Sequence, residues 1–128
     1  MSLVAPLSRV LGLGSAKKSV EHWWIQRLTA IALIPLGLWL IFAFAGLGDF
    51  GYVTVTTWVR SPINSVLLML VVVTTSYHSQ LGLRVIIEDY IDVAGLKFTS
   101  LILSIFLHIA LTVVGVYSIA KVAFMAPV

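Results

Sequence analysis

Cysteine is absent from this chain of 128 residues, so the chain forms no disulfide of its own and supplies no thiolate to a metal or an iron–sulfur cluster. Charge is scarce as well: Asp, Glu, Lys and Arg make up 10% of the sequence, against about a quarter in an average soluble domain. The net charge of +3 is spread over single basic residues and forms no basic patch, unlike a nucleic-acid-binding surface. The composition therefore argues against a soluble domain and against a nucleic-acid-binding protein.

Long apolar runs are what the sequence has instead. Hydrophobic residues make up 60% of the chain, and the mean hydropathy is +1.09. Three runs, 28–47, 63–83 and 98–120, reach the length of about 20 residues that a helix needs to cross the hydrocarbon core. Because backbone polar groups in lipid must pair within their own segment, each run predicts a helix. We expect an all-α integral membrane protein with three transmembrane helices. The glycine-rich stretch 46–51 is predicted to break the first helix, and Gly95 to separate the second helix from the third.

The residues ahead of the first span are predicted to form a separate tail. We divide the chain into an N-terminal tail, 1–20, and a three-helix transmembrane domain, 21–128. The tail contains Arg9, Lys17 and Lys18 but no acidic residue, so a short mitochondrial transit peptide is an open alternative to a membrane-proximal tail.

The basic residues predict the direction of the spans. Six of the eight Lys and Arg residues fall on one side of the membrane in this arrangement. They are Arg9, Lys17, Lys18, Arg27, Arg84 and Lys97. Basic residues concentrate on the cytoplasmic side of a membrane, or on the matrix side in a mitochondrion. The N-terminus is therefore expected inside and the C-terminus outside, and the lack of a long presequence favours a bacterial inner membrane over a mitochondrial one.

The middle run carries an ionisable residue, His78, at a depth where such residues usually mark a function. Thr74, Thr75 and Gly82 fall on the same side of an ideal helix. Their small size leaves room for a flat group, which suits an axial haem ligand, whose second ring nitrogen then needs an acceptor. A histidine that only bonds to a neighbouring helix is the alternative, and the spacing does not separate the two.

The inner end of the same run carries a denser polar group. Arg84 and Glu88 are four residues apart and are predicted to pair along the helix. Asp89 and Tyr90 offer a carboxylate and a phenol at the membrane boundary, where a quinone headgroup needs such partners. An ordinary solvated helix end is the alternative. His78 lies about 17 Å away along the helix axis, so haem and quinone would occupy two neighbouring sites.

Polar residues in the other two runs allow more than one interpretation. Arg27 can extend to the lipid headgroups or can meet an anion such as a haem propionate, where His22 could assist. His108 lies in the third run without a glycine one turn away. We interpret His108 as a packing or hydrogen-bonding residue, with Ser104 one turn earlier as a partner, and contact with a cofactor is the alternative.

Two stretches resemble a known family. They are HWWIQRLTAIAL at 22–33 and YHSQLGLRVIIEDY at 77–90. Together with the three-span layout they resemble the hydrophobic membrane anchor subunit of succinate dehydrogenase, the D-type anchor of respiratory complex II. The resemblance covers nearly all of the chain from Glu21 onward. The C-type anchor usually carries a further His after the Arg, whereas Val85 stands here and Asp89-Tyr90 closes the motif, which favours the D type.

This resemblance implies partners and cofactors. It implies a heteromeric helix bundle with a second anchor subunit, C, and attachment of a flavoprotein subunit and an iron–sulfur subunit on the inner face. A b-type haem would lie between the anchors, with His78 as one axial ligand of its iron. Tyr90 and Asp89 match the pair that contacts ubiquinone, and Arg27 matches an arginine near haem and quinone.

The function implied is anchoring succinate:ubiquinone oxidoreductase and passing electrons from succinate to the quinone pool. The chain would be a subunit of this enzyme without catalysing the reaction alone. Two alternatives stay open: an anchor of a fumarate reductase, and a small non-redox membrane accessory protein whose His only joins helices.

Overall fold

The computed structural model describes the backbone of residues 13–124 and the side chains of residues 20–124. These residues form four helices and no strand: α1 (Leu13–Ala45), α2 (Tyr52–Arg60), α3 (Pro62–Tyr90) and α4 (Ala94–Phe124). The all-α prediction is confirmed. Of the predicted tail, residues 1–12 lie outside the described residues, as do the side chains of Lys17 and Lys18, and α1 already includes the backbone of residues 13–20.

Three segments in the described part of the chain are long and apolar enough to cross a membrane: Val20–Ala45, Pro62–Tyr90 and Ala94–Phe124. They contain the three predicted runs except at one end. The first apolar run continues to residue 47, but α1 ends at Ala45, where the predicted break at 46–51 begins. The backbone N–H of Leu47 donates to the carbonyl of Phe44, three residues back, at 3.2 Å. This tighter turn ends the α-helical pattern.

The short helix α2 lies between α1 and α3 in the chain. The carboxylate of Asp49 accepts hydrogen bonds from the backbone N–H of Gly51 at 2.6 Å and from Thr54 Oγ1 at 3.0 Å, just where α2 begins. The indole of Trp58 then stacks on Trp39 of α1, with ring centroids 5.9 Å apart. The stack holds α2 against α1 and sets the geometry with which the chain enters α3.

The turn between α3 and α4 differs from the prediction. Gly95 was expected to separate the two helices, but α3 ends at Tyr90 and Gly95 lies in the first turn of α4. The first N–H groups of a helix lack intrahelical partners, so a glycine there weakens the helix little. The ammonium of Lys97 donates to the backbone carbonyl of Glu88 at 2.8 Å and links the end of α3 to the start of α4.

Helix α3 is the central element and packs against α1 on one side and α4 on the other. Within the described residues, Leu81 and Ile87 are the only buried apolar side chains. Large apolar side chains of α1 such as Ile41 and Phe42 are more than half exposed. A surface this apolar needs lipid or further membrane helices to cover it.

Candidate functional site

The side chain of His78 faces α1, where it meets a hydroxyl. Oγ1 of Thr29 lies 2.9 Å from Nδ1 of His78. The same hydroxyl donates to the backbone carbonyl of Gln26, one turn earlier in α1, at 2.9 Å. His78 is half-buried, and its Nε2 has no hydrogen-bond partner among the described residues. One ring nitrogen is therefore held by α1 while the other is unused.

Gly82 lies one turn after His78 and faces the same helix. A Cβ added at Gly82 would meet only Nε2 of Gln26, at 3.8 Å, which is ordinary van der Waals contact. The packing of this chain alone would therefore accept an alanine at that position. A strict need for glycine at residue 82 would have to come from a group outside this chain.

The C-terminal end of α3 forms the predicted ion pair. Nε of Arg84 lies 2.7 Å from Oε1 of Glu88, and both side chains are about half exposed, 50% and 43%. Tyr90 is 82% exposed, and Asp89 is exposed too. No hydrogen bond joins Asp89 and Tyr90 in the described part of the chain, because adjacent helical side chains point about 100° apart. Both groups face outward, open to a ligand or a partner subunit.

The first turns of the α1 span hold the remaining predicted residues. The guanidinium of Arg27 lies 4.2 Å from the ring centroid of Trp23, one turn earlier, as a cation–π contact. Arg27 is otherwise exposed, whereas His22 is half-buried and its Nε2 is enclosed without a hydrogen-bond partner. Since Thr29 is seven residues after His22, the two lie on one face of α1.

His108 bonds within the chain through both ring nitrogens. Its Nδ1 donates to the backbone carbonyl of Ser104 at 2.7 Å, and its Nε2 lies 3.3 Å from Oγ of Ser79 on α3. The hydroxyl of Ser76 donates to the backbone carbonyl of His108 at 3.0 Å. His108 is a hydrogen-bonding residue that joins α4 to α3, as predicted.

A groove lies along α3 on the side that faces α4. It has a volume of about 560 Å³ and runs between α3 and α4, with Tyr77, Gln80 and His108 among its lining residues. His78 and Gly82 do not line it. The groove is therefore separate from the face of α3 that carries the predicted haem ligand.

Two residues of this site, Thr29 and Gln26, have no role predicted from the sequence. Thr29 lies inside the first apolar run and Gln26 lies just ahead of it. The two are three residues apart, and a polar pair at that spacing marks one helix face. The pattern therefore indicates a polar face on α1. It does not predict which other helix this face contacts.

Comparison with known proteins gives one consistent family. Residues 1–119 match the family described as "Succinate dehydrogenase/Fumarate reductase transmembrane subunit". A succinate dehydrogenase hydrophobic membrane anchor subunit from Rickettsia bellii is 39% identical over 112 residues, covering 87% of this chain and 88% of the relative. No solved structure matches the chain.

Relatives outside Rickettsia are similar to the chain as well. A succinate dehydrogenase membrane anchor subunit from Reclinomonas americana is 33% identical over 90 residues, covering 68% of this chain and 75% of the relative. The anchor subunit from Paracoccus denitrificans is 26% identical over 121 residues, covering 94% of this chain and 93% of the relative. The similarity thus extends over the three spans and is not confined to one motif.

Proposed function

The chain belongs to the family of succinate dehydrogenase/fumarate reductase transmembrane subunits, and from this premise we propose that α3 carries two half-sites, one for a b-type haem and one for ubiquinone. The membership confirms the resemblance seen in the two sequence stretches. The chain is a membrane anchor subunit that is not catalytic alone. Membership also argues against the alternative of a non-redox accessory protein.

The observation that carries the haem proposal is the state of His78. Its Nδ1 is held by Thr29 at 2.9 Å, while its Nε2 has no hydrogen-bond partner among the described residues. The described residues contain no group of three or more His, Cys, Asp or Glu that could hold a bare metal ion. Haem would fit a lone histidine, because the porphyrin brings most of the iron ligands itself and the protein would add few.

Two residues of this chain would hold the haem, and each has a distinct task. His78 Nε2 would be one axial ligand, and the partner anchor subunit would provide the other. Arg27, exposed beyond its contact with Trp23, would face a propionate, since a guanidinium pairs well with a carboxylate. When bound, haem supplies one-electron transfer.

Ubiquinone is proposed to bind as substrate at the inner end of α3. Tyr90, 82% exposed, has a phenol free to donate a hydrogen bond to a quinone carbonyl. Asp89, the adjacent exposed residue, would support Tyr90 and take up protons from the inner aqueous phase, which quinone reduction consumes. Electrons from succinate would arrive through the flavin and iron–sulfur clusters of the partner subunits.

The partners we propose are a C-type anchor, an iron–sulfur subunit and a flavoprotein subunit. The apolar surface of α1 supports a helical partner, because Leu28, Ile31 and Phe42 are each more than 60% exposed. Of the described basic residues, Arg27, Arg84 and Lys97 lie at the proposed inner end of the spans. This distribution supports an N-terminus on the cytoplasmic side, and the relatives from Rickettsia support a bacterial inner membrane. The relatives above are named for succinate dehydrogenase, which favours succinate oxidation over fumarate reduction.

The test is purification of the chain from its native membrane in mild detergent, with identification of the bound subunits and a reduced-minus-oxidised spectrum. We expect a flavoprotein, an iron–sulfur protein, a second anchor and a b-type α-band. The complex should reduce both a soluble dye and ubiquinone with succinate. A pure complex without a b-type band would overturn the haem half-site, and a complex that reduces dye but not ubiquinone would overturn the quinone half-site.

A further inference from the structure

The hydroxyl of Thr29 has only one hydrogen to donate. The backbone carbonyl of Gln26, 2.9 Å away, can only accept, so that hydrogen bond uses the hydroxyl proton. What Thr29 then presents to His78 is the lone pairs of its oxygen. At 2.9 Å, Nδ1 of His78 must be the donor of the second hydrogen bond.

This donor assignment determines the tautomer of His78. A neutral imidazole carries one ring proton, so a proton on Nδ1 leaves a lone pair on Nε2. Nε2 is also the ring nitrogen that has no hydrogen-bond partner among the described residues. The contact with α1 thus produces a histidine whose unused nitrogen is already in the form that binds a metal.

The other two histidines lack this combination. In His108 Nδ1 donates to the carbonyl of Ser104, but Nε2 lies 3.3 Å from Oγ of Ser79 and is engaged by it. In His22 Nε2 is enclosed and has no partner. Only His78 combines a tautomer set by the protein with a second nitrogen left for a ligand.

We propose that Thr29 is a positioning residue for His78, fixing the tautomer and ring orientation in which Nε2 ligates the haem iron. The proposal rests on the haem half-site proposed above. A hydrogen-bond acceptor on the second ring nitrogen orients a ligating histidine and raises its basicity, and losing such a partner typically costs about 10–100-fold in metal affinity. Thr29 would therefore affect the haem without touching it.

The experiment compares three variants in the complete complex. Thr29→Val removes the acceptor and keeps the side-chain shape, whereas Thr29→Ser keeps the hydroxyl. Thr112→Val is the matched control, since the Thr112 hydroxyl also donates to a backbone carbonyl in its own helix, that of His108, at 2.7 Å. The readouts are the haem-to-flavin ratio during detergent washing, the haem midpoint potential and the EPR spectrum of the ferric haem. Succinate–dye activity reports assembly.

We expect Thr29→Val to lower the affinity for haem by about 10–100-fold. This loss appears as a lower haem-to-flavin ratio during detergent washing. A less basic ligand also stabilises ferric haem less, relative to ferrous haem. The midpoint potential should therefore rise, by about 59 mV for each tenfold change in the ratio of ferric to ferrous affinity. Thr29→Ser and Thr112→Val should behave as wild type. Unchanged retention, potential and ferric EPR spectrum in Thr29→Val would overturn the positioning role.

The outcomes separate this proposal from the haem half-site. A wild-type complex without a b-type band removes both. A haem that is lost in His78→Ala but unaltered in Thr29→Val removes only the role of Thr29. If Thr29→Val does not assemble, Thr29→Ala carries the same test. Failure of both to assemble, with Thr29→Ser normal, assigns the hydroxyl a structural role and overturns the proposal.

Discussion

Oγ1 of Thr29 and Nδ1 of His78 lie 2.9 Å apart and join α1 to α3 across 49 positions of sequence. The contact links a polar residue of the first span to the only histidine whose Nε2 is both unpartnered and not enclosed in the described part of the chain. In lipid such a pair of polar groups has few other partners, so it also fixes how α1 is rotated against α3.

The first prediction concerns the proposed haem ligand. His78→Ala should abolish the b-type absorption of the purified complex, because among the described residues Nε2 of His108 is engaged by Ser79 and Nε2 of His22 is enclosed. His108→Ala is the control, since both nitrogens of His108 are engaged within the chain. It should leave the spectrum in place. Full b-type absorption in His78→Ala would show that the ligand lies elsewhere.

The second prediction concerns Gly82. Gly82→Ala adds a Cβ that meets only Gln26 Nε2 at 3.8 Å, and alanine favours a helix over glycine by about 1 kcal/mol. We expect normal assembly and normal succinate–dye activity but reduced haem content, measured as haem per flavin. If the haem content is normal, nothing flat presses against this turn of α3.

The third prediction concerns the proposed quinone half-site. Tyr90→Phe removes one hydrogen-bond donor, and a lost hydrogen bond of about 1.4 kcal/mol corresponds to a tenfold loss in rate or affinity. We expect succinate–ubiquinone kcat/KM to fall about tenfold, with succinate–dye activity unchanged. Tyr117→Phe serves as the control. Tyr117 is also exposed, and it lies near the C-terminal end of α4. Equal kinetics for the two variants would exclude Tyr90 from the site.

The fourth prediction tests the packing of α3 against α4. A Cβ at Gly115 would lie 2.8 Å from Cγ1 of Val72, closer than real side chains approach. Gly115→Ala should therefore destabilise the chain by about 1–3 kcal/mol, and Val72→Ala should relieve the loss. Gly37→Ala is the control, because nothing lies within 4 Å of its added Cβ. Thermal unfolding in detergent measures all three, and a Gly115→Ala midpoint equal to that of wild type would contradict this packing.

The sequence predicted the fold well because each apolar run is a local property. The three runs predicted three spans, and all three are helices in the structure. The error lies at a helix end, at Gly95. Whether a glycine ends one helix or lies at the start of the next depends on the hydrogen bonds that neighbouring backbone carbonyls accept. The bond from Lys97 to the carbonyl of Glu88 is one example.

The candidate site was predicted in part. The sequence alone singled out His78 and the Arg84–Glu88 pair, since a charge or imidazole in an apolar run is conspicuous and four-residue spacing is set by the helix itself. It also assigned His108 to hydrogen bonding within the chain, which the contact with Ser104 confirms. The roles of Tyr90, Asp89 and Arg27 toward ligands stay predictions.

The sequence by itself determined that this protein is three membrane-spanning helices with an imidazole inside the second, because lipid offers no hydrogen bonds and the chain must satisfy its own backbone. Only the tertiary structure decided what that imidazole meets. The rotation of α1 about its axis is set by side-chain packing between residues far apart in sequence. That rotation brings Thr29 to Nδ1 of His78 and leaves Nε2 unused.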